Sequence, residues 1–414
     1  MTEKLLTALF PTRNRLDILA GQLKLFRHVS YPVVIVDLSD PESQARVRRL
    51  VPEGMEYQAH APDLTFYDKL EAALRGIDTP FVMVMPDRKI TFPHAVEALL
   101  AHLVAHDDHF AAIGYILGFA VDGSEIDINR VIWFTPTIDN QDPMQRVYHL
   151  MRRYQCRTFG MFRTAALLRA VSLARTMRGA IFQEIALMNA IALQGKMARL
   201  PVILSLQTEQ RSFHPPTRND PFYWFLDDIG SFFQHYLSYR EGLKRFALDL
   251  GVCIPSVADL DQLLDMIHAV WLHSNFKGGT LNHAARLLLG DQMPPISQPS
   301  NARRRKRLSE GDAVQEGIRR YVWRREVLRA EPRHEIQISA HEMSRVAEQL
   351  DIYFHAELRH NTVLMPASRK ARFRSSKPGA AFDGLRTESS PPIADQLPAA
   401  VPEPDVYHLG DDGD

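Results

Sequence analysis

Residues 5–10, LLTALF, run directly into Pro11-Thr12-Arg13-Asn14-Arg15, and residues 32–36, PVVIV, run directly into Asp37-Leu38-Ser39-Asp40. Both runs are short and β-rich, and Val33 to Val36, like Phe81 to Met85 further on, has no polar alternation, the pattern of a strand buried on both faces of a sheet. Both end abruptly in polar groups. Further along, MEYQA, PFVMVM, FAAIGYILGF and MARLPVILSL are also short β-rich runs. Segments of helical spacing lie between them, such as Leu16, Leu19, Leu23 and Phe26, or Phe92, Val96, Leu99, Leu103 and Val104. This alternation, from Leu5 to about Gln207, predicts an α/β fold: a mostly parallel sheet flanked by helices. Asn14 with Asp17, and Thr65 with Asp68, have the spacing of an N-cap and its N3 partner at helix starts.

In an open α/β sheet, ligands bind in the crevice beyond the carboxyl ends of the strands. Polar groups that recur there describe a site. By this reading Thr12, Asn14 and Arg15 follow the first strand, Asp37 and Ser39 the second, and Asp87 and Arg88 the strand PFVMVM. Lys69 lies on the helix YDKLEAAL between them.

Composition excludes several classes. With 414 residues, 45% of them hydrophobic, the chain can bury a full core and has length for two domains plus tails. Lys and Arg balance Asp and Glu at 49 each, so no global field draws the protein to nucleic acid or anionic lipid. Cys156 and Cys253 stand far apart without metal or disulfide spacing, which fits a reducing cytoplasm. The N-terminal apolar run is too short for a signal segment, and no stretch reaches the roughly 18 apolar residues of a membrane span. Any membrane contact is expected to be peripheral, at the inner face.

The chain divides into a sheet domain over 1–215, a helical and aromatic region over 216–290, a basic Pro-rich linker over 291–312, C-terminal helices over 313–365 and a disordered tail over 366–414. The linker carries Arg303-Arg304-Arg305-Lys306-Arg307, which reads as a solvated loop because no aromatics interleave it. The helical stretch 313–330, with Ile318, Tyr321, Val322 and Trp323, suits either packing on the helical region or lying on a membrane. Phe222, Tyr223, Trp224 and Phe225 suit a core more than a sugar-stacking wall.

The ordered set of Thr12, Asn14 and Arg15, then Asp37 and Ser39, then Lys69, then TPFVMVMPDRKITFP, GMFRTAALLRA and FQEIALMNAIALQGK resembles a family-2-type glycosyltransferase of the GT-A fold over about the first half of the chain. The resemblance implies a nucleotide-sugar donor, a UDP-sugar, and a glycan, lipid-linked or protein acceptor, with inversion at the anomeric carbon and no nucleic-acid partner. It places Asp87 where the family carries its metal-binding acids and Glu184 where it carries a late acidic residue.

The residue chemistry fits piece by piece. A carboxylate at a strand end, Asp37, can accept the ring N–H of a uracil. Arg15 and Lys69 can make charge-assisted bonds to a diphosphate. Glu184 can take the acceptor's proton as general base, or else simply complement a helix dipole. Where the family has two or three acids for Mn²⁺ or Mg²⁺, this chain has Pro86-Asp87-Arg88-Lys89. One carboxylate beside two cations is a poor cage for a divalent ion, so the expectation is weak or absent metal dependence, with Arg88 or Lys89 facing the diphosphate. Arg211, Ser212, Phe213 and His214 could reach back to the phosphates. The alternative is a GT-A-like module that binds sugar or protein without turnover. A sugar nucleotidyltransferase is disfavoured because PTRNR lacks a phosphate-cradling glycine.

Overall fold

The computed structural model describes residues 4–86, 89–122, 125–133, 136–152, 154–155, 157–208, 221–252, 257–274, 321–324, 327–330 and 340–354. Asp87, Arg88, Arg211 to His214, the linker 291–312 and the tail 366–414 lie outside the described residues.

Four parallel strands carry the N-terminal half. β1 (Leu6–Thr12), β2 (Val33–Asp37), β3 (Glu56–Ala59) and β4 (Phe81–Val84) stand in the order β3-β2-β1-β4, linked by α1 (Leu16–Leu25), α2 (Pro41–Leu50) and α3 (Phe66–Arg75). The register aligns Thr12 with Asp37 and Asp37 with Ala59, so the three strands end in one row. β1, β2 and β4 are buried along their whole length, as unbroken apolar runs require. α3 starts with the expected capping box: the Thr65 hydroxyl accepts from the Asp68 N–H, and the Asp68 carboxylate accepts from the Thr65 N–H. The cap expected of Asn14 does not form. Arg15 occupies the N-cap position of α1 and makes no side-chain cap, while Asn14 sits one residue earlier with a left-handed φ of 54°.

Beyond β4 the sheet becomes antiparallel. β8 (Met161–Arg163) pairs antiparallel with β4 on one side and β6 (His109–Asp122) on the other. β6 then pairs β7 (Glu125–Trp133), and its opposite edge runs parallel to β9 (Lys196–Thr208), which also holds β5 (Lys89–Thr91). The stretch 313–330, expected to be helical, is instead a hairpin where it is described: β10 (Tyr321–Arg324) and β11 (Val327–Ala330) extend the sheet from β7. Short apolar runs do not distinguish helix from strand, and here an available sheet edge decides.

One face of the sheet is covered by α3, α5 (Pro143–Arg152), α6 (Thr164–Arg175) and α7 (Ala180–Gln194). The helices expected after 216 follow as α8 (Pro221–Asp227), α9 (Ile229–Asp249) and α10 (Val257–Ser274), and they share this core. α7 is buried almost all round, and its Phe182 ring lies 5.5–5.6 Å from the rings of Trp224, Phe232 and Tyr239. Trp224 is therefore core, as its helical density suggested. A buried polar chain ties these helices together. Asn189 Nδ2 donates to Tyr239 Oη (2.7 Å), Tyr239 Oη lies 2.7 Å from His268 Nε2, and His268 Nδ1 meets the Leu264 carbonyl at 2.6 Å. A carbonyl only accepts, so Nδ1 holds the proton and Nε2 receives the tyrosine hydroxyl.

The other face is covered by α1, α4 (Pro93–Ala105) and a helix from far along the chain, α11 (Ala340–Phe354). α11 buries Met343, Val346, Leu350 and Tyr353. Its Glu342 accepts from the Ile203 N–H (2.8 Å) and contacts His94 Nε2 (3.0 Å). Burial opposes the Glu342 charge, but these bonds outweigh it and hold the carboxyl below its ordinary range. Tyr353 seats against Gly21, where any Cβ would run into its ring.

Two outcomes follow from this packing. Gly21→Leu should expel Tyr353 and undock α11, so hydrogen exchange over 340–354 should accelerate at least tenfold while β1 and β2 keep their protection; unchanged exchange would disprove the seat. Burial lowers the His268 pKa to about 4, against 6.5 when exposed. The unfolded chain therefore binds the extra proton between those values, and stability falls as pH drops through that window. His268→Gln should flatten the melting-temperature profile between pH 6.5 and 4.

Candidate functional site

The row of strand ends becomes a site through one buried carboxylate. Asp37 is fully buried, and its two oxygens hold two different elements. Oδ1 accepts the Ser39 N–H at 2.7 Å, closing the turn after β2, and Oδ2 accepts the Tyr57 hydroxyl at 2.9 Å from β3. Buried carboxylates require such donors, since an ionised group without partners in a low-dielectric interior costs several kcal/mol. Burial and this bond to Asp37 push the Tyr57 hydroxyl well above its ordinary pKa, and Arg48 lies 5.2 Å over the Tyr57 ring.

Ser39 passes the order on to the first strand. Its hydroxyl accepts the Asn14 N–H at 2.8 Å, and the Leu38 N–H donates to the Thr12 carbonyl at 3.0 Å. Asn14 tolerates the left-handed backbone this demands better than most residues. Thr12 lies at the centre, 1% exposed, and its Oγ1 has no hydrogen-bond partner among the described residues. Lys69 comes in from α3. Its side chain is buried, and Nζ stands 3.5 Å from the Thr12 carbonyl and 5.7 Å from the Phe66 ring centroid. Burial first, and then the nearby Lys69 charge, lower the pKa of His60, whose own N–H donates to the Asp37 carbonyl.

The structure thus brings together Thr12, Asn14, Asp37, Ser39 and Lys69 at one carboxyl edge. Arg15 is half-buried at the start of α1, and no side-chain hydrogen bond from it appears among the described contacts. Glu184 lies in α7, away from this cluster in sequence, and accepts the Tyr154 hydroxyl at 2.9 Å. The C-terminal end of α7 leads through Gly195 into β9 beside His109, the amino end of β6. Glu184 thus lies in the N-terminal half of α7, the end away from β9. Lys89, buried at the start of β5, places Nζ 5.3 Å from the Phe159 ring, just before β8.

Sequence reasoning missed Tyr57, His60 and Tyr154. Tyr57 sat in a strand read only as a strand, and no spacing pattern pointed to its hydroxyl. Among the described residues, no three His, Cys, Asp or Glu side chains group as metal ligands. Of the described strand-end residues, Asp37 has both oxygens engaged, while Asp87, the expected ligand for Mn²⁺ or Mg²⁺, lies outside the described residues. No described helix is long and apolar enough to cross a membrane.

No protein-family model matches the sequence, and no curated protein matches it. Solved structures of similar shape include residues 1–349 of S. aureus TarS in complex with UDP-GlcNAc, at 12% identity and a TM-score of 0.37, covering 80% of this chain and 99% of that one. Glucosyl-3-phosphoglycerate synthase from Mycobacterium tuberculosis, in complex with Mn²⁺, UDP and phosphoglyceric acid, is 11% identical at a TM-score of 0.36, covering 58% and 78%. CMP:2-keto-3-deoxy-manno-octonic acid synthetase complexed with CTP is 11% identical at 0.32, covering 48% and 90%. Likeness at this level is loose, and the function has to be argued from this chain's own residues.

Asp37→Asn should set an amide N–H₂ against the Ser39 N–H or the Tyr57 hydroxyl. A loss of about 1–3 kcal/mol in urea unfolding is expected, with Tyr57→Phe costing less because it removes a donor rather than inserting a conflicting one. Equal stability of Asp37→Asn and wild type would show that the carboxylate does not organise this edge.

Proposed function

We propose that the protein is a glycosyltransferase that binds a nucleotide sugar, a UDP-sugar, at this carboxyl edge and passes the sugar to a glycan, lipid-linked or protein acceptor. The observation that carries the reading is the convergence of Thr12, Asn14, Asp37, Ser39 and Lys69, remote in sequence, around one row of parallel strand ends. Asp37 is proposed as the acceptor for the ring N–H of a uracil, through the second lone pair of one oxygen, once the contacts that now bury it part. The Thr12 hydroxyl, buried without a described partner, supplies a further contact. Lys69 brings positive charge to the side from which a diphosphate would approach.

In the proposed reaction the acceptor hydroxyl oxygen bonds to the anomeric carbon as the bond from that carbon to the diphosphate oxygen breaks. The hydroxyl proton passes to Glu184, and the diphosphate leaves with the electron pair. Such single displacement inverts the anomeric centre. The Tyr154 hydroxyl, donating to Glu184 at 2.9 Å, would orient the carboxylate for this role. Asp87, Arg88 and Lys89 are proposed at the diphosphate, with fixed cations doing there what a divalent ion does elsewhere. A module that binds without turnover is the second reading, favoured by the absence of an acidic cluster among the described residues.

Calorimetry with UDP and a UDP-sugar, with and without Mn²⁺, tests the assignment. Asp37→Ala should weaken UDP binding about tenfold or more, whereas Glu184→Gln should leave binding nearly unchanged and abolish transfer. UDP affinity unchanged in both Asp37→Ala and Asp87→Ala would defeat the proposal. Tight UDP-sugar binding with no transfer by wild type would establish the module.

A further inference from the structure

A groove of about 540 Å³ opens between α3, α6 and α9, a volume in the range of small-molecule sites. It forms beside a point of close approach. Gly242 of α9 lies against Leu173 and Met177, where a Cβ would crowd the Met177 side chain. One turn further along α9, Arg245, Phe246 and Asp249 line a gap whose opposite walls carry Arg75 of α3 and Leu168 and Arg169 of α6. Its floor is apolar, since Leu168, Leu173 and Phe246 are half-buried and packed against the helical core. Its rim is cationic: Arg75, Arg169 and Arg245 are exposed, and Asp249 is the single carboxylate among the described lining residues.

The three guanidinium groups are only partly engaged by the protein. Arg245 makes no hydrogen bond or ion pair among the described residues. Arg169 engages only Nε, with Gln194 at 2.7 Å. Arg75 places Nη2 2.7 Å from the buried Glu71 carboxylate, yet its side chain is 65% exposed. Glu71 also holds Arg175 at 2.6 Å and Ser172 at 2.7 Å, so it stays partnered if Arg75 turns to a ligand. A guanidinium is a planar fork of N–H donors, and here the donors outnumber the acceptors that the surrounding helices offer.

We infer that the groove is a second ligand site, taking an organic phosphate monoester with its phosphate among the three guanidinium groups and its body on the apolar floor. A phosphate monoester presents three strong acceptor oxygens, more than a carboxylate, and so suits forks arriving from three helices. Covering Leu168, Leu173 and Phe246 adds apolar burial that a bare inorganic anion cannot supply. The groove is separate from the strand-end row and does not depend on the nucleotide-sugar reading. Lys69, which faces that row, precedes Arg75 on α3 by six residues, about 9 Å of helix, and the two lie on different sides of it.

The test is calorimetry with phenyl phosphate, inorganic phosphate and phenol on wild type, Arg169→Gln, Arg245→Gln and Asp249→Asn. All three side chains are exposed, so the variants should melt with wild type. Phenyl phosphate should bind wild type saturably and more tightly than either fragment. Each arginine variant should weaken it by about fivefold or more, and Asp249→Asn, which removes the opposing charge, should tighten it. An excess of uridine should not displace it. Wild type that does not bind phenyl phosphate, binding that neither arginine variant weakens, binding no tighter than that of inorganic phosphate, or displacement by uridine would overturn the inference.

Discussion

A carboxylate sealed from water at the end of β2 sets the geometry of the whole carboxyl edge. A carboxylate buried there needs donors, and the two Asp37 has come from opposite directions, the Ser39 N–H ahead in its own chain and the Tyr57 hydroxyl on the neighbouring strand. The first bond fixes the turn that lets Ser39 receive the Asn14 N–H. The second fixes β3 against β2. Remove the charge, and the turn after β1 loses its support at one remove, because Asn14 is held in a left-handed conformation by a hydroxyl that is itself held by the carboxylate. Polar order at this edge is thus a chain of dependencies, and the parallel register of β1 and β2 is what brings its links within reach.

The second organising element is a helix buried almost all round. α7 is surrounded by the sheet on one side and by α9 and α10 on the other, and the ring of Phe182 meets aromatic partners from α8, α9 and α10. Truncating a ring in such a setting costs about 3–5 kcal/mol, since neighbours relax only partly into the space. Helices 221–274 are bound to the sheet through this core, and Glu184 is presented by a rigid rod rather than by a loop.

Much of the fold could be read from the sequence, because buried parallel strands announce themselves locally. Val33 to Val36 and Phe81 to Met85 have no polar alternation and proved to be central strands, and Thr65 with Asp68 made its capping box. The positions of Thr12, Asp37 and Ser39 were legible because unbroken apolar runs mark where strands stop. What stayed hidden was decided by partners distant in sequence. Residues 321–324 pair with β7 as a strand and 327–330 pair with them, although their apolar density suited a helix equally well. Asn14 was given a cap's duty because its spacing to Asp17 was right, yet its N–H was already claimed by Ser39 across 25 residues. The buried arginines Arg146 and Arg157 gave no signal in the sequence, because burial is a property of the fold.

The seating of α11 against α1, α4 and β9 has a consequence for how the chain is made. The apolar flank of the first helix, with Gly21 open to receive Tyr353, waits for a segment more than three hundred positions downstream. During synthesis, which proceeds from the amino end, the early βα units must therefore persist with an oily groove uncovered until the ribosome has released position 354. That interval is when the nascent chain is most exposed to self-association and to capture by chaperones.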